Sequence, residues 1–179
     1  MNVKKTKFKD VFLIKKKLFR DKRGYFYENY NQNKYLPFLK KIKFVQDNIS
    51  FSKKHVFRGL HFQKKNKQGK LLSVISGSIL DVIVDLRINS QTYKKWQKFL
   101  ISEKNCYQIW IPPGFAHGFL SLENNTIVIY KCTKLYDSND ECIIKWNDPV
   151  LNIKWKKNQK IIISKKDKKG SFFSDLLPF

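Results

Sequence analysis

Leu71-Leu72-Ser73-Val74-Ile75-Ser76-Gly77-Ser78-Ile79-Leu80-Asp81-Val82-Ile83-Val84-Asp85-Leu86-Arg87 is the stretch that decides the fold class. Two short apolar runs flank a Ser76-Gly77-Ser78 turn, which predicts two strands. Side chains alternate along a strand, so Leu80, Val82, Val84 and Leu86 share one face and Ile79, Asp81, Ile83 and Asp85 the other. Two carboxylates among apolar neighbours are costly unless each is paired or faces a wet cavity. Asp81 and Asp85 each therefore call for a partner or a wet cavity.

Similar runs occupy the rest of the chain. Gly24 to Asn29, Phe44 to Phe51, Arg58 to Phe62, Trp96 to Ile101, Tyr107 to Ile111, Gly118 to Leu122, Thr126 to Leu135 and Glu141 to Trp146 all read as strands. One short helix is expected around Asn31 to Lys40 and another at the C-terminus. Many short β-branched and aromatic runs with few helical patterns predict an all-β domain, a jelly-roll-like sandwich or barrel. The 179 residues, with Gly and Pro only as punctuation and no internal repeat or linker, read as one domain over 1–179. Fifteen Phe, eight Tyr and four Trp exclude a disordered chain.

The net charge is +23, carried by thirty-three lysines and only Arg20, Arg23, Arg58 and Arg87. A basic excess raises the question of nucleic acid, but readers of bases and phosphates lean on the arginine fork. Here the lysines run from Lys4 to Lys169 without clustering, which reads as a solvated surface bias or as long-range steering of an anionic ligand. The apolar runs Val11 to Ile14 and Ile161 to Ile163 are far below the ~20 residues that span a bilayer. No signal-peptide-like stretch follows Met1, and Cys106, Cys132 and Cys142 form neither a C-x-x-C pair nor an even set. The expectation is a cytoplasmic protein without membrane or nucleic-acid partners.

Three histidines can be weighed singly. His55, after Lys53-Lys54, reads as solvated. His61, in Arg58-Gly59-Leu60-His61-Phe62-Gln63, shares a strand face with Gln63 and on its own reads as a satisfied core histidine rather than a base. His117 is delivered into a strand by the turn Pro112-Pro113-Gly114-Phe115-Ala116. This P-x-G-x-x-H pattern resembles the second motif of the cupin barrels. Metal-binding cupins carry an H-x-H pair and a Glu in the first motif, where this chain has His61-Phe62-Gln63 and no Glu before Gly77. A transition metal wants three or four N, O or S ligands, so the expectation is no metal and no cofactor.

Seven motifs then fall in order: Arg58 to Gln63, Gln68-Gly69-Lys70-Leu71, Gly77 to Arg87, Ile109 to Phe119, Tyr130-Lys131-Cys132-Thr133, Trp146-Asn147-Asp148-Pro149 and Ser164-Lys165-Lys166-Asp167. Together they resemble the dTDP-4-dehydrorhamnose 3,5-epimerases, metal-free cupins of dTDP-L-rhamnose synthesis, from about Phe19 to Asp167. The resemblance implies epimerisation at C3 and C5 of dTDP-4-dehydro-6-deoxy-D-glucose through an enolate. It implies His61 as base, Asp167 on its other ring nitrogen, Lys70 at the enolate oxygen and Tyr130 as the acid on the opposite face. An imidazole with an unperturbed pKa of ~6.5 suits the base. Without the resemblance, Lys70 reads as surface, Tyr130 as a buried strand aromatic, and Asp167, within Lys165-Lys166-Asp167-Lys168-Lys169, as part of a solvated charge run.

The same resemblance implies that Arg23, Glu28, Gln46, Asp47 and Asn48 contact the nucleotide, some across a homodimer. It further implies that Arg58 and His117 line the pocket with Glu141 and Lys166 nearby, and that Tyr136 stacks on the base. The chain departs from the family pattern at Gln63 to Lys70, which lacks a proline, at Ser90-Gln91-Thr92-Tyr93, at Leu135, and at Asp137-Ser138-Asn139-Asp140-Glu141, where a Ser-Pro turn is usual. The rival readings are an epimerase acting at one carbon or on a related keto sugar, a silent sugar-nucleotide-binding cupin, and a basic nucleic-acid-binding domain.

Overall fold

A computed structural model of the chain describes residues 1–40, 42–155 and 160–176. In chain order its first strands are β1 (Asn2–Lys5), β2 (Phe12–Lys15), β3 (Phe19–Asp21), β4 (Gly24–Phe26), β5 (Gln46–Ser52), β6 (Val56–Gln63) and β7 (Lys70–Ser76). There follow β8 (Ser78–Asp85), β9 (Trp96–Ser102), β10 (Tyr107–Ile111), β11 (Phe115–Ser121), β12 (Thr126–Cys132), β13 (Glu141–Ile143) and β14 (Ile162–Ile163). Helix α1 (Gln32–Leu39) follows β4, and a single turn of helix, α2 (Lys165–Lys168), follows β14.

The strands form two packed sheets, ordered β1-β2-β10-β7-β12-β5 and β13-β6-β11-β8-β9, with β14 beside β6 and β3-β4 as a separate hairpin. The architecture is the expected all-β, cupin-type sandwich, with the sheets facing each other rather than closing into a barrel. The two strands read from residues 71–87 are present, but they do not pair. β7 lies in the first sheet and β8 in the second. Gly77 turns the corner at φ 76, where an added Cβ would meet Thr126 Oγ1 at 2.6 Å.

Both faces of β8 are buried, for two different reasons. Ile79 and Ile83 join Leu72, Val74, Ile109, Ile111, Phe119 and Val128 between the sheets. Val82, Val84 and Leu86 face outward and are covered, with Phe57, Leu60 and Phe62, by Leu151, Ile153, Trp155 and Phe173 from the C-terminal segment. The outer face of the first sheet receives Tyr35 and Leu39 of α1 against Ile14, Leu71 and Trp110. Asn31 caps that helix, its side chain accepting from Asn33 N and Lys34 N.

Several boundaries differ from the sequence reading. The strand read over Gly24 to Asn29 stops at Phe26 because the chain turns to dock Asn29, whose backbone oxygen accepts from Gln108 Nε2 at 2.7 Å. The run from Thr126 ends at Cys132, where β12 loses its partners β7 and β5. β13 ends at Ile143, because Ile144 instead exchanges backbone bonds with Leu60 and bridges Ser171. The C-terminal helix is only α2 followed by a 3₁₀ turn at Phe173–Asp175; residues 177–179 lie outside the described residues. His55 is half-buried rather than solvated, because the C-terminal segment crosses it and Ile162 N donates to its backbone oxygen at 2.8 Å.

Candidate active site

At one end the sheets part around two adjoining hollows of about 610 and 260 Å³ that share Asn48, His61, Lys70, Tyr130, Tyr136 and Glu141. Strand alternation puts the polar groups there. On β6, Phe57, Leu60 and Phe62 take the outer core, leaving Arg58 and His61 to the inner face. His117 of β11 stands directly opposite His61 in register. The strands touch closely beside them: a Cβ on Gly59, at φ 136, would lie 2.5 Å from Gly118 Cα. From the facing sheet, β12 presents Tyr130, β7 presents Lys70, and β5 presents Gln46, Asn48 and Ser50 at alternate positions.

His61 Nε2 lies 2.8 Å from Asp167 Oδ1, and the imidazole keeps 28% of its surface open while the carboxylate keeps 6%. The lysine-rich segment expected to be solvated is thus folded inward at its one acid. Hydrogen bonding explains this: Ser164 Oγ accepts from Asp167 N at 3.0 Å, and β14 runs parallel to β6, pairing Ile163 with Phe57. The pair fixes which imidazole nitrogen faces the carboxylate and leaves the other for chemistry.

Across the pocket, burial pushes the Tyr130 phenol up to about 12, with Cys132 adding to the rise and Arg58 opposing it. The group therefore holds its proton until a strongly basic atom takes it. Lys70 is partly open to the cavity and walled by protein elsewhere; burial lowers its pKa, while Cys132, Glu141 and Asp81 work against the shift. An ammonium stripped of water in this way is poised to be matched by a developing oxyanion. Arg58 is held by Ser52 Oγ at 3.1 Å and the Phe51 carbonyl at 2.9 Å.

The carboxylate suspected on β8 has a partner. His117 Nε2 is 2.6 Å from Asp81 Oδ2, and both side chains are almost wholly buried. Asp85 is satisfied away from the pocket, by Arg87, Ser90 and Thr92. At the mouth, Tyr136 OH lies 3.1 Å from Glu141 Oε2 and accepts from Lys166 Nζ at 3.2 Å, and Lys166 pairs with Glu141. That contact also raises the Lys166 pKa.

Among the residues expected at the site, the structure brings together His61, Lys70, Tyr130, Asp167, Arg58, His117, Gln46, Asn48, Tyr136, Glu141 and Lys166. It does not bring Asp47, Arg23 or Glu28 to this pocket. Asp47 sits between Gln46 and Asn48 on β5, so it points to the other face and pairs with Lys131 at 2.9 Å. Arg23 is exposed on the β3–β4 hairpin beside Asp21, and Glu28 pairs with Lys34 at 2.7 Å. Sequence reasoning gave no role to Ser50, a pocket-lining residue whose buried hydroxyl has no partner among the described residues, or to Ser164, which fixes Asp167. The alternation Gln46, Asn48, Ser50 was the available signal for the first, and a serine three residues before an acid, the usual helix-cap spacing, for the second.

Fold and pocket chemistry define a cupin-type isomerase. A family profile described as dTDP-4-dehydrorhamnose 3,5-epimerase matches residues 5–175, and the chain belongs to that family. It is 44% identical over 169 residues to the dTDP-4-dehydrorhamnose 3,5-epimerase of Salmonella typhimurium, covering 93% of this chain and 92% of the relative. A crystal structure of the Legionella pneumophila dTDP-6-deoxy-D-glucose-3,5-epimerase in complex with dTDP-4-keto-L-rhamnose superposes with a TM-score of 0.94 at 39% identity, over 98% of this chain and 94% of that one. The Bacillus anthracis dTDP-4-dehydrorhamnose 3,5-epimerase, solved with TDP and PPi bound, gives 0.91 at 42% identity, over 96% and 98%.

Proposed function

We propose that the protein inverts C3 and C5 of dTDP-4-dehydro-6-deoxy-D-glucose, giving dTDP-4-dehydro-L-rhamnose for dTDP-L-rhamnose synthesis. The observation that carries this reading is the imidazole of His61 on one sheet, paired with Asp167 of α2, facing the phenol of Tyr130 on the other sheet across a shared pocket. Neutral His61 takes the proton from a carbon α to the ketone. The C–H electron pair becomes the enolate double bond, and the carbonyl oxygen takes the negative charge beside Lys70. Tyr130 then gives its proton to the opposite face of the same carbon, and the electron pair returns to restore the ketone. His61 is left as imidazolium against Asp167 and Tyr130 as phenolate; one proton passed back through solvent resets both. Repeated at the second carbon, the cycle gives the double epimer, with His61 removing and Tyr130 delivering the carbon-bound proton each time and no cofactor taking part.

The nucleotide end is assigned to the mouth. Tyr136 offers a ring for the thymine, with Gln46, Asn48, Arg58 and His117 for the polar groups and Glu141 and Lys166 flanking the ring. The relatives solved with dTDP-4-keto-L-rhamnose and with TDP support a thymidine diphosphate sugar as ligand. Arg23 and Glu28, away from their own pocket, are assigned to the nucleotide of a second copy, which makes the working form a homodimer. Asp47, turned to the outer face of β5, is assigned to the same shared nucleotide edge. The protein acts in the cytoplasm, as one domain and without a nucleic-acid partner; among the described residues no helix is long and apolar enough to cross a membrane.

Incubating the substrate with the protein in deuterated water and following the label by NMR tests the reading. Deuterium entering at both C3 and C5 is the expected result. Label at one carbon alone would instead make it a single-carbon epimerase, and no label would make it a silent binding protein.

A further inference from the structure

The loops entering Lys70 and leaving β12 are stitched together. Gln63, at the end of β6 and 5% exposed, accepts from Asp137 N at 2.8 Å through Oε1. Its amide Nε2 donates to Asn66 O at 3.0 Å and Leu135 O at 3.4 Å. One buried side chain thus grips the residues on both sides of Tyr136 and reaches its own loop as well. Asp140 closes the seam from the other end, its carboxylate accepting from Lys65 N at 2.8 Å and Asn66 N at 2.6 Å. Gln46 Oε1 accepts from Tyr136 N at 2.7 Å.

We propose that Gln63, at the position that a second metal-binding histidine would take in an H-x-H cupin, is a positioning residue for nucleotide recognition. It acts through Tyr136, setting the ring before the ligand arrives and so lowering the ordering cost of binding. The inference rests on the reading of the pocket as a thymidine diphosphate sugar site. Because the base lies away from the reacting carbons, Gln63 contributes equally to ground state and transition state, which places its effect in KM rather than kcat.

The test measures thymidine diphosphate affinity by calorimetry, with kcat, KM and deuterium wash-in, for wild type, Gln63→Ala, Tyr136→Ala and the double variant. Gln63→Ala is expected to weaken thymidine diphosphate about tenfold and raise KM by about the same factor, with kcat, wash-in and pH profile unchanged. In the Tyr136→Ala background it is expected to cost nothing further, since residues acting as one unit are not additive. Asp140→Asn, which thins the same seam without touching Gln63, is expected to shift KM the same way by about two- to threefold. A loss in kcat at unchanged KM, or an equal loss with and without Tyr136, would overturn the proposal. A wild-type protein that turns over the substrate beside an unaltered Gln63→Ala would overturn it alone. Failure of the wild type to bind thymidine diphosphate would overturn the site reading and this proposal together.

Discussion

Two histidine–carboxylate pairs face each other across adjacent strands, and they differ mainly in water. In one, His61 Nε2 meets Asp167 at 2.8 Å with the ring 28% open to the pocket. In the other, His117 Nε2 meets Asp81 at 2.6 Å with the ring 7% open and the acid sealed. Asp81 comes from the neighbouring strand, β8, and its Oδ1 has no partner among the described residues. Asp167 arrives from 106 residues away on a folded-back arm. The same hydrogen bond thus serves two ends. An imidazole that can reach a substrate and solvent can exchange protons, whereas one sealed beside a buried carboxylate keeps its orientation and offers a fixed contact.

The largest break should come at the open pair. His61→Asn is expected to lower turnover about 10³-fold or more and to abolish deuterium wash-in at both carbons, the scale of a lost general base. Normal wash-in would assign the base elsewhere, His117 included.

Lys70 sharpens the comparison through pH and stability. Lys70→Met is expected to lower kcat about 10²- to 10³-fold, as for other lost oxyanion donors. It should also raise the melting temperature. Burial lowers the folded pKa of Lys70, so below the ordinary lysine value the unfolded chain binds the proton more tightly, and folding is penalised throughout that range. Removing the amine lifts the penalty, by about 2–4 °C for each kcal/mol. The same lowered pKa makes Lys70 the group expected to set the alkaline limb of kcat, below the ordinary lysine range, since burial pushes the Tyr130 phenol up to about 12. Lys70→Arg should move that limb upward. A limb left in place, or a melting temperature that falls in Lys70→Met, would remove Lys70 from this role.

Tyr130→Phe separates the two faces of the sugar. Wash-in through His61 should persist while net inversion falls about 10²-fold, because only the second proton donor is lost. Equal loss of both by the same NMR assay would mean that one group serves both faces. The smallest effect is expected at the sealed pair. His117→Asn should retain wash-in at both carbons, reduce kcat/KM about tenfold, and destabilise by about 1–3 kcal/mol in a denaturant titration, the cost of leaving Asp81 unpaired. A collapse of wash-in as deep as that of His61→Asn would erase the distinction drawn between the pairs.

Some of this was legible from residues alone. Alternation in Ile79 to Leu86 sorted the strand into two faces and marked Asp81 as a carboxylate needing a partner or a wet cavity, because period two is a local property of the backbone. The roles expected of His61, Asp167, Lys70 and Tyr130 came only with the family resemblance that the motif order carries. Local pattern could not say that β7 and β8 part into different sheets, since a turn fixes a change of direction and not a partner. Nor could it separate Asp47 from Gln46 and Asn48, a distinction set by which face of β5 the pocket lies on.

Asp167 marks the limit most plainly. Flanked by lysines, it has the local signature of a solvated turn, and its burial depends on β6, Ser164 and His61 being assembled around it. The order of residues determined the strands, the buried carboxylate on β8 and the residue types able to move a proton, because these follow from periodicity and intrinsic chemistry. Tertiary structure alone decided which histidine meets water, which amine is stripped of it, and which distant acid joins the pair. Solvent access is a property of surfaces packed against one another, and no single segment carries it.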